Sequence, residues 1–374
     1  MRIGVPKEIK DREHRVALTP NGARQLVEQG HEVLIQSQAG LGSGFQDEAY
    51  LVAGAKAVSQ EQAWNVDLVI KVKEPLETEY KFLGRQILFT YLHLSGVVSS
   101  LTEALLTAGT TAIAYETVED HLGRLPLLEP MSAVAGTMAI TVGSHYLAHV
   151  NGGKGTLLGM LLGKRNGNVL VIGEGIVGRH AARAALGLGA NVSLAGLFEE
   201  RLPSLKKELG ENFEFILSTP KNLSEATRTA DLIVGAVLLP GAKAPSVVSE
   251  SMVRAMEPGS VIVDVSIDQG GCLATSRPTS HSDPIFMQHG VIHYCVTNMP
   301  GAYPHTSTIA LTSATLPYAM ALANEGCESL RKDAGFAKGA NVYQGRITCR
   351  AVAEALDKLD RYRPFKLEDP LRKN

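Results

Sequence analysis

Cysteine and any surplus of one charge are both scarce in this chain, and each scarcity removes a class of protein. The four cysteines, Cys272, Cys295, Cys327 and Cys349, lie far apart, with no C-x-x-C pair and no zinc-ligand spacing. A disulfide scaffold or a small zinc domain is thereby excluded, and the thiols read as free in a reducing cytoplasm. Lys and Arg number 36 against 38 Asp and Glu, a formal net charge of −2. No basic field exists to hold nucleic acid or an anionic membrane, so a small polar substrate fits better than a polymer. Low-complexity tracts and repeats of solenoid period are missing too. The first residues, Met1-Arg2-Ile3-Gly4-Val5-Pro6-Lys7-Glu8, reach charge before an apolar core of secretory length can form, so no leader is expected there. One stretch without Asp, Glu, Lys or Arg runs between Glu129 and Lys154, but Ser132, Thr137, Thr141, Ser144, His145, His149 and Asn151 make it too polar for a span of about 20 residues. It reads as a long buried helix whose Ala133, Gly136, Ala139 and Gly143 form a face that another backbone approaches closely.

What is present is a chain of 374 residues with 45% apolar and 20% charged residues. That is enough for two or three domains with real cores. Short β-rich runs alternate with helical patterns, the mark of an α/β fold on mostly parallel sheets. Strands are expected at Ile3-Gly4-Val5, Glu32-Val33-Leu34-Ile35, Leu68 to Val72, Ile87 to Tyr91 and Thr111 to Tyr115. Thr19 supplies an N-cap, Pro20 a first helical residue and Gly30 a stop for the helix between the first two. A second alternating series follows the charge-free run, with strands at Val169 to Ile172, Val192 to Leu194, Leu232 to Gly235, Val261 to Val265 and Val291 to Tyr294. Beyond about residue 304 the pattern turns helical, most clearly over Thr308 to Asn324 and Cys349 to Leu359.

The second series opens on a nucleotide signature. Val169-Leu170-Val171-Ile172 runs into Gly173-Glu174-Gly175-Ile176-Val177-Gly178 and then into the helical Ala181-Ala182-Arg183-Ala184-Ala185-Leu186, so strand, G-x-G-x-x-G and helix stand in the required order. Gly173 permits the tight turn, Gly175 lets backbone approach a pyrophosphate, and Gly178 lets the helix pack on the strand. An acid is expected about 20 residues on, to accept hydrogen bonds from the adenosine ribose. Here that strand ends at Ala195-Gly196. Glu199 and Glu200 lie just beyond and are the nearest acids in sequence, while Arg201 is the single adjacent base, a thin basis for a 2′-phosphate site. NAD is favoured over NADP, and Gly196→Asp is expected to tighten NAD binding.

Candidate chemical groups collect at strand ends. Arg15, in Glu13-His14-Arg15-Val16-Ala17-Leu18-Thr19-Pro20, offers paired donors suited to a carboxylate, though taken alone it would be an exposed surface arginine. Lys73 precedes Glu74-Pro75 at the end of a strand, where lysines are usually solvated. Tyr91 and His93 alternate to one side of the next strand, and a lone histidine is more often structural. Asp264-Val265-Ser266-Ile267-Asp268-Gln269-Gly270-Gly271 places two acids at the carboxyl end of a strand of the nucleotide sheet, where ligands of open α/β sheets bind. The bland reading of Asp268 is an Asx turn closed by Gly270. A further polar loop runs through Thr297-Asn298-Met299-Pro300-Gly301.

Taken with the blocks Arg2 to Glu8, Arg15 to Pro20, Lys71 to Pro75, Phe89 to His93, Ala114 to Thr117, Leu127 to Met131, Gly235 to Pro245, Asp264 to Cys272 and Asn298 to Gly301, the chain resembles the L-alanine dehydrogenases from Met1 to about Val352. The resemblance implies two Rossmann-like domains, with a discontinuous substrate domain of residues 1–128 plus 305–374 and an NAD-binding domain of residues 129–304 inserted in it. It implies an enzyme that interconverts L-alanine with pyruvate and ammonium, transferring hydride to NAD, as a cytoplasmic homohexamer without metal. Carried over by motif, His93 would be the general acid/base, Asp268 its catalytic partner, and Arg15 and Lys73 the substrate grips. Cofactor contacts would be Ser132, Gly173, Gly175, Ile176, Val177, Gly178, Arg201, Ser218, Val237, Leu238, Ile267, Asp268, Arg277, Asn298 and Met299. The chain departs from the family at Gly196, where a ribose-binding Asp is usual, at Ala133, where a Glu is usual, and in Gly159-Met160-Leu161-Leu162-Gly163, which replaces a Gly-Gly-Val-Pro-Gly segment. Alternatives are a transhydrogenase nucleotide-binding subunit, a saccharopine-type amino-acid dehydrogenase, and a catalytically silent NAD-binding regulatory protein.

Overall fold

In the computed structural model, which describes residues 1–96, 98–238 and 244–366, the chain divides into two compact units, Met1–Met131 with Tyr303–Asn374, and Ser132–Ala302. Residues 239–243 of the resemblance block at 235–245 lie outside the described residues.

The first unit is built on an eight-stranded sheet. Its order is Lys56–Val58, Glu32–Gln36, Arg2–Val5, Leu68–Ile70, Ile87–Thr90, Thr111–Ala114, Ala340–Tyr343 and Arg346–Ile347. Every pair up to Thr111–Ala114 is parallel, and the last two strands are antiparallel additions from the far end of the chain. The central strands are buried at every position and apolar except at Thr90 and Thr111, as strands covered on both faces largely must be. One core cluster joins Val69, Leu88 and Ala112 to Leu101 and Leu105 of the helix Ser99–Ala108 and to Val342 and Ile347. Thr19 caps the helix Pro20–Glu28 by accepting from Gly22 N–H.

The second unit carries a seven-stranded sheet. Its order is Glu214–Leu217, Asn191–Gly196, Asn168–Ile172, Leu232–Gly235, Val261–Asp264, Val291–Tyr294 and Ile285–Gln288, parallel except for the last. This is the doubly wound order, whose switch point lies between Asn168–Ile172 and Leu232–Gly235.

The charge-free run is helical over Glu129–Leu147 only. It stops short of Lys154 because Asn151 donates to His145 O and Gly155 N–H to Leu147 O, which turns the chain through a 3₁₀ segment at His149–Asn151. The close backbone approach read from its small residues is real at Gly136, where a Cβ would lie 2.2 Å from Val177 O, whereas at Gly143 the close neighbour is a side chain, with Leu232 Cδ1 2.5 Å from where a Cβ would be. No helix among the described residues is long and apolar enough to cross a membrane. The helix expected over Cys349 to Leu359 is only Arg350–Ala355, since Asp357 adopts a positive φ of 54° and turns the chain away. All four cysteines are unpaired.

Candidate active site

In the first unit the strand ends are lined with charge that the protein neutralises internally. Arg15 is 2% exposed, not a surface arginine. Its Nε and Nη2 donate to the two carboxylate oxygens of Glu13 at 2.7 and 2.5 Å, and Nη1 reaches Met131 Sδ at 3.1 Å. Burial opposes its charge, but the Glu13 bonds outweigh burial and raise the guanidinium pKa further. Lys71 is fully buried between Glu8 and Glu79, each at 3.0 Å. The second oxygen of Glu8 accepts from Val72 N–H at 2.7 Å and Lys73 N–H at 3.3 Å, so this ion triad fixes the backbone that carries Lys73.

Tyr91 sits at the hub. Its hydroxyl donates to Leu127 O at 2.5 Å, Lys73 Nζ lies 5.8 Å from its ring centroid, and the His93 ring stacks on it at 5.6 Å and 3°. Burial pushes its phenol pKa well up, with the Arg15 charge pulling the other way. The four residues Arg15, Lys73, Tyr91 and His93 thus occupy one neighbourhood. The strand itself stops at Thr90, and His93 has a positive φ of 47°, a strained conformation for a non-glycine residue. Glu116 holds that turn by accepting from His93 N–H at 2.6 Å and Leu92 N–H at 3.2 Å, and its Oε1 lies 3.9 Å from His93 Nδ1. The His93 side chain is left 42% exposed, open to reactants. Glu13 and Glu116 were not singled out from sequence, because nothing local tells a buried acid from a surface one, and Tyr91 was noted only as sharing a side with His93.

In the second unit the glycine loop is shaped by three separate constraints. Gly173 has φ 112°, and a Cβ there would meet Ala236 O at 2.4 Å. A Cβ at Gly178 would stand 1.7 Å from Gly173 O, so the helix Ile176–Leu188 can pack on the strand only without one. Gly175 is different. It is the N-cap of that helix, nothing among the described residues lies within 4 Å of where its Cβ would be, no side chain among them caps it and no acid occupies the first turn. Uncapped N–H groups facing open space suit a pyrophosphate. Ile176 and Val177 form the first turn, half-buried.

The strand end beside the loop is not empty of charge. Glu174 is 8% exposed and turns its carboxylate onto Gly196. Its Oε2 lies 2.9 Å from the position of a Gly196 Cβ and accepts from Leu197 N–H at 3.3 Å, while Oε1 is 3.4 Å from Arg201 Nη1. The Arg201 guanidinium also covers the Phe198 ring at 4.8 Å. Glu199 and Glu200, by contrast, are exposed on the 3₁₀ turn Glu199–Arg201. The expectation that Gly196→Asp tightens nucleotide binding meets an obstacle in this geometry, since Phe215 and Glu174 would both have to shift. A side chain there would meet Phe215 Cε2 at 2.7 Å and set a second carboxylate against Glu174.

The other residues named for the nucleotide fall around the same sheet end. Ser218 N–H donates to Gly196 O at 2.8 Å, and Val237 N–H donates to Ser266 Oγ at 2.9 Å. Leu238 is exposed and Ile267 buried. Ser132, half-buried, begins the unit on the helix Glu129–Leu147. Arg277 stacks on Phe286 at 4.1 Å. Of the two acids after the strand Val261–Asp264, it is Asp264 that is structural. It is buried and accepts from Ser266 N–H, Cys272 N–H and Ser276 Oγ, and burial pushes its pKa up. Asp268 is exposed on the 3₁₀ turn Val265–Gln269 and accepts from Asn298 N–H at 3.3 Å. Asn298 holds a positive φ of 61°, and Met299 beside it is buried.

Comparison with known proteins covers nearly the whole chain. The profile of the alanine dehydrogenase/PNT N-terminal domain matches residues 4–135, and that of the alanine dehydrogenase/PNT C-terminal domain residues 139–350. An alanine dehydrogenase of Staphylococcus haemolyticus is 51% identical over 359 residues, 95% of this chain and 96% of that one. A solved L-alanine dehydrogenase superposes with a TM-score of 0.92 at 48% identity, over 96% of this chain and 100% of that one. The transhydrogenase from Sinorhizobium meliloti superposes with a TM-score of 0.81 over 93% of this chain and 100% of that one, but at 21% identity it shares the fold alone. Identity of this level, sustained from one end of the described chain to the other, leaves one conclusion: the chain belongs to the alanine dehydrogenase/PNT family.

Proposed function

We propose that the protein is an alanine dehydrogenase, catalysing the reversible NAD-dependent oxidative deamination of L-alanine to pyruvate and ammonium. The observation that carries this reading is the neighbourhood of Tyr91, where a buried, pre-oriented guanidinium, a lysine and an open histidine meet. Residues 1–128 with 305–374 are read as the substrate domain and residues 129–304 as the nucleotide domain. The family uses a nicotinamide dinucleotide, which supplies the hydride acceptor when bound. Gly173, Gly175, Ile176, Val177 and Gly178 would hold its pyrophosphate, and Ser132, Arg201, Ser218, Val237, Leu238, Ile267, Asp268, Arg277, Asn298 and Met299 its remaining parts.

The residues then divide the work by chemistry. Arg15, its charge fixed by Glu13, grips the substrate carboxylate; a guanidinium held in place loses little freedom on binding. Lys73 polarises the developing carbonyl through its oxygen. Loss of hydride leaves a cationic imine on the substrate, which Asp268 stabilises by opposite charge. Water must then add and ammonia leave, and His93 moves the protons of both steps. By the same family reading the protein assembles as a cytoplasmic homohexamer, which sedimentation would check.

The test is the appearance of NADH absorbance when protein, NAD and L-alanine are mixed at alkaline pH. His93→Ala is expected to lower kcat at least ~100-fold with NADH affinity unchanged. Arg15→Lys keeps a charge beside Glu13 but loses the paired donors, so KM for both alanine and pyruvate rises. Absence of alanine-dependent reduction by folded protein that still binds NADH would overturn the reading in favour of a silent nucleotide-binding protein.

A further inference from the structure

We infer that Glu174, the second residue of the glycine loop, provides the adenosine-ribose contact that the strand end at Gly196 lacks, and that it sets the preference for NAD over NADP. The inference rests on the NAD-dependent reading above. Its starting point is an exchange of two residues. In dinucleotide folds the ribose is met by an acid projecting from the end of the strand that follows the glycine loop. Here that strand end is Gly196, and a carboxylate reaches it from the neighbouring strand's loop instead. Glu174 Oε2 lies 2.9 Å from where a Gly196 Cβ would be, so the carboxylate occupies the space into which an aspartate at 196 would project. The two arrangements exclude one another: Gly196 must be glycine for Glu174 to lie as it does.

The carboxylate is also left with capacity. An ionised carboxylate has about four acceptor positions. Glu174 uses two of them, on Leu197 N–H at 3.3 Å and Arg201 Nη1 at 3.4 Å, both at the long end of hydrogen-bond distances. At 8% exposure it is held in place by burial and by these two contacts, with acceptor positions remaining for vicinal hydroxyls. The same contacts explain the cofactor preference. Arg201, the one base that follows this strand end closely in sequence, is drawn onto Glu174 and the Phe198 ring. A 2′-phosphate at this position would meet the Glu174 charge, and the cation beside it, Arg201, is already engaged by that carboxylate, a repulsive element of the kind that specificity requires.

Fluorescence titration of NADH and NADPH into the wild type, Glu174→Gln and Glu174→Ala tests the inference, with reduced nicotinamide mononucleotide, which lacks the adenosine ribose, as a third ligand. Wild type is expected to bind NADH more tightly than NADPH. Glu174→Ala should weaken NADH by about tenfold to a hundredfold, the scale of charge-assisted hydrogen bonds, and narrow the gap to NADPH. Glu174→Gln, which keeps size and hydrogen bonding, should keep part of the NADH affinity while the gap to NADPH narrows as in Ala. Binding of the mononucleotide should be unchanged in both. If the alanine variant fails to fold, the glutamine variant decides. Unaltered NADH affinity and an unaltered NADH to NADPH ratio would show that Glu174 only braces Leu197 and Arg201, overturning the inference and leaving the dehydrogenase reading intact. A uniform loss that includes the mononucleotide would equally overturn it, as collapse of the loop. A wild type that binds neither dinucleotide would overturn the reading itself, and the inference with it.

Discussion

At the strand ends of the first unit, Arg15, Lys71, Glu8, Glu13 and Glu79 are all buried, and each charge meets its opposite within the protein. At the strand ends of the second, the corresponding loop is Gly173, Gly175 and Gly178, with backbone N–H groups at a helix start in place of side chains. Both arrangements suit anions, a small carboxylate in one case and a pyrophosphate in the other. The first holds its cation rigid at the cost of burying charge, and the second gives up side chains so that backbone can come close. A mutation should therefore fail differently in each: in the first unit by leaving a charge without its partner, in the second by adding volume.

The largest effect is expected from Lys71→Met, which strands Glu8 and Glu79 together in the interior. Breaking a buried ion pair on one side costs about 3 to 5 kcal/mol, to be read from chemical denaturation. An unchanged midpoint would mean that the triad is not the support of the first unit's strand ends. Next come paired substitutions in the glycine loop. Gly178→Ala drives a methyl into Gly173 O, an overpacking of about 1 to 3 kcal/mol that should lower the melting temperature. Gly175→Ala meets no atom of the described residues, so melting should hardly move while NADH affinity falls. Equal effects of the two on stability would remove the distinction between them.

The smallest effect concerns pH. His293 is buried, contacts Thr275 Oγ1 at 2.8 Å and Val291 O at 3.0 Å, and burial lowers its pKa. Its folded pKa lies below the unfolded value of ~6.5, so the unfolded chain takes up the proton first. Stability is complete above ~6.5 and declines as pH falls toward the folded pKa. Melting curves of wild type should show that decline, and His293→Gln should show less of it. The same slope in both would place the acid sensitivity elsewhere.

Much of this was legible in the linear chain where the signal is local. Apolar runs gave away the central strands, and strand, glycine loop and helix in sequence order located the nucleotide loop. Gly136 and Gly143 were readable as close approaches because small residues at helical spacing have few other uses. The edge strand Lys56–Val58 was not readable, being only three residues long and largely exposed. The additions Ala340–Tyr343 and Arg346–Ile347 depend on pairing with Thr111–Ala114, a distant partner that no local pattern announces. Lys71 and Arg15 carry the same signal as any surface base, and only the fold brings Glu8, Glu79 and Glu13 to bury them. Glu174 is an intermediate case. An acid inside the glycine loop was visible, as was the missing acid at Gly196, but only the parallel register of the two strands joins these observations.

The late strand Ala340–Tyr343 bears on how the chain comes to be folded during synthesis. Ala112 pairs with Val342, so the strand that protects this sheet edge emerges from the ribosome about 230 residues after the edge itself. At bacterial-scale rates of about 5 to 20 residues per second, that is a delay of roughly 10 to 50 s, during which Thr111–Ala114 is an open edge on an apolar sheet. The intervening unit Ser132–Ala302 has all of its own strands, the last being Val291–Tyr294, before that partner emerges. A nascent chain of this kind would carry a finished nucleotide fold beside an unfinished neighbour with a bare, sticky margin, which makes that margin the place where holding chaperones would act.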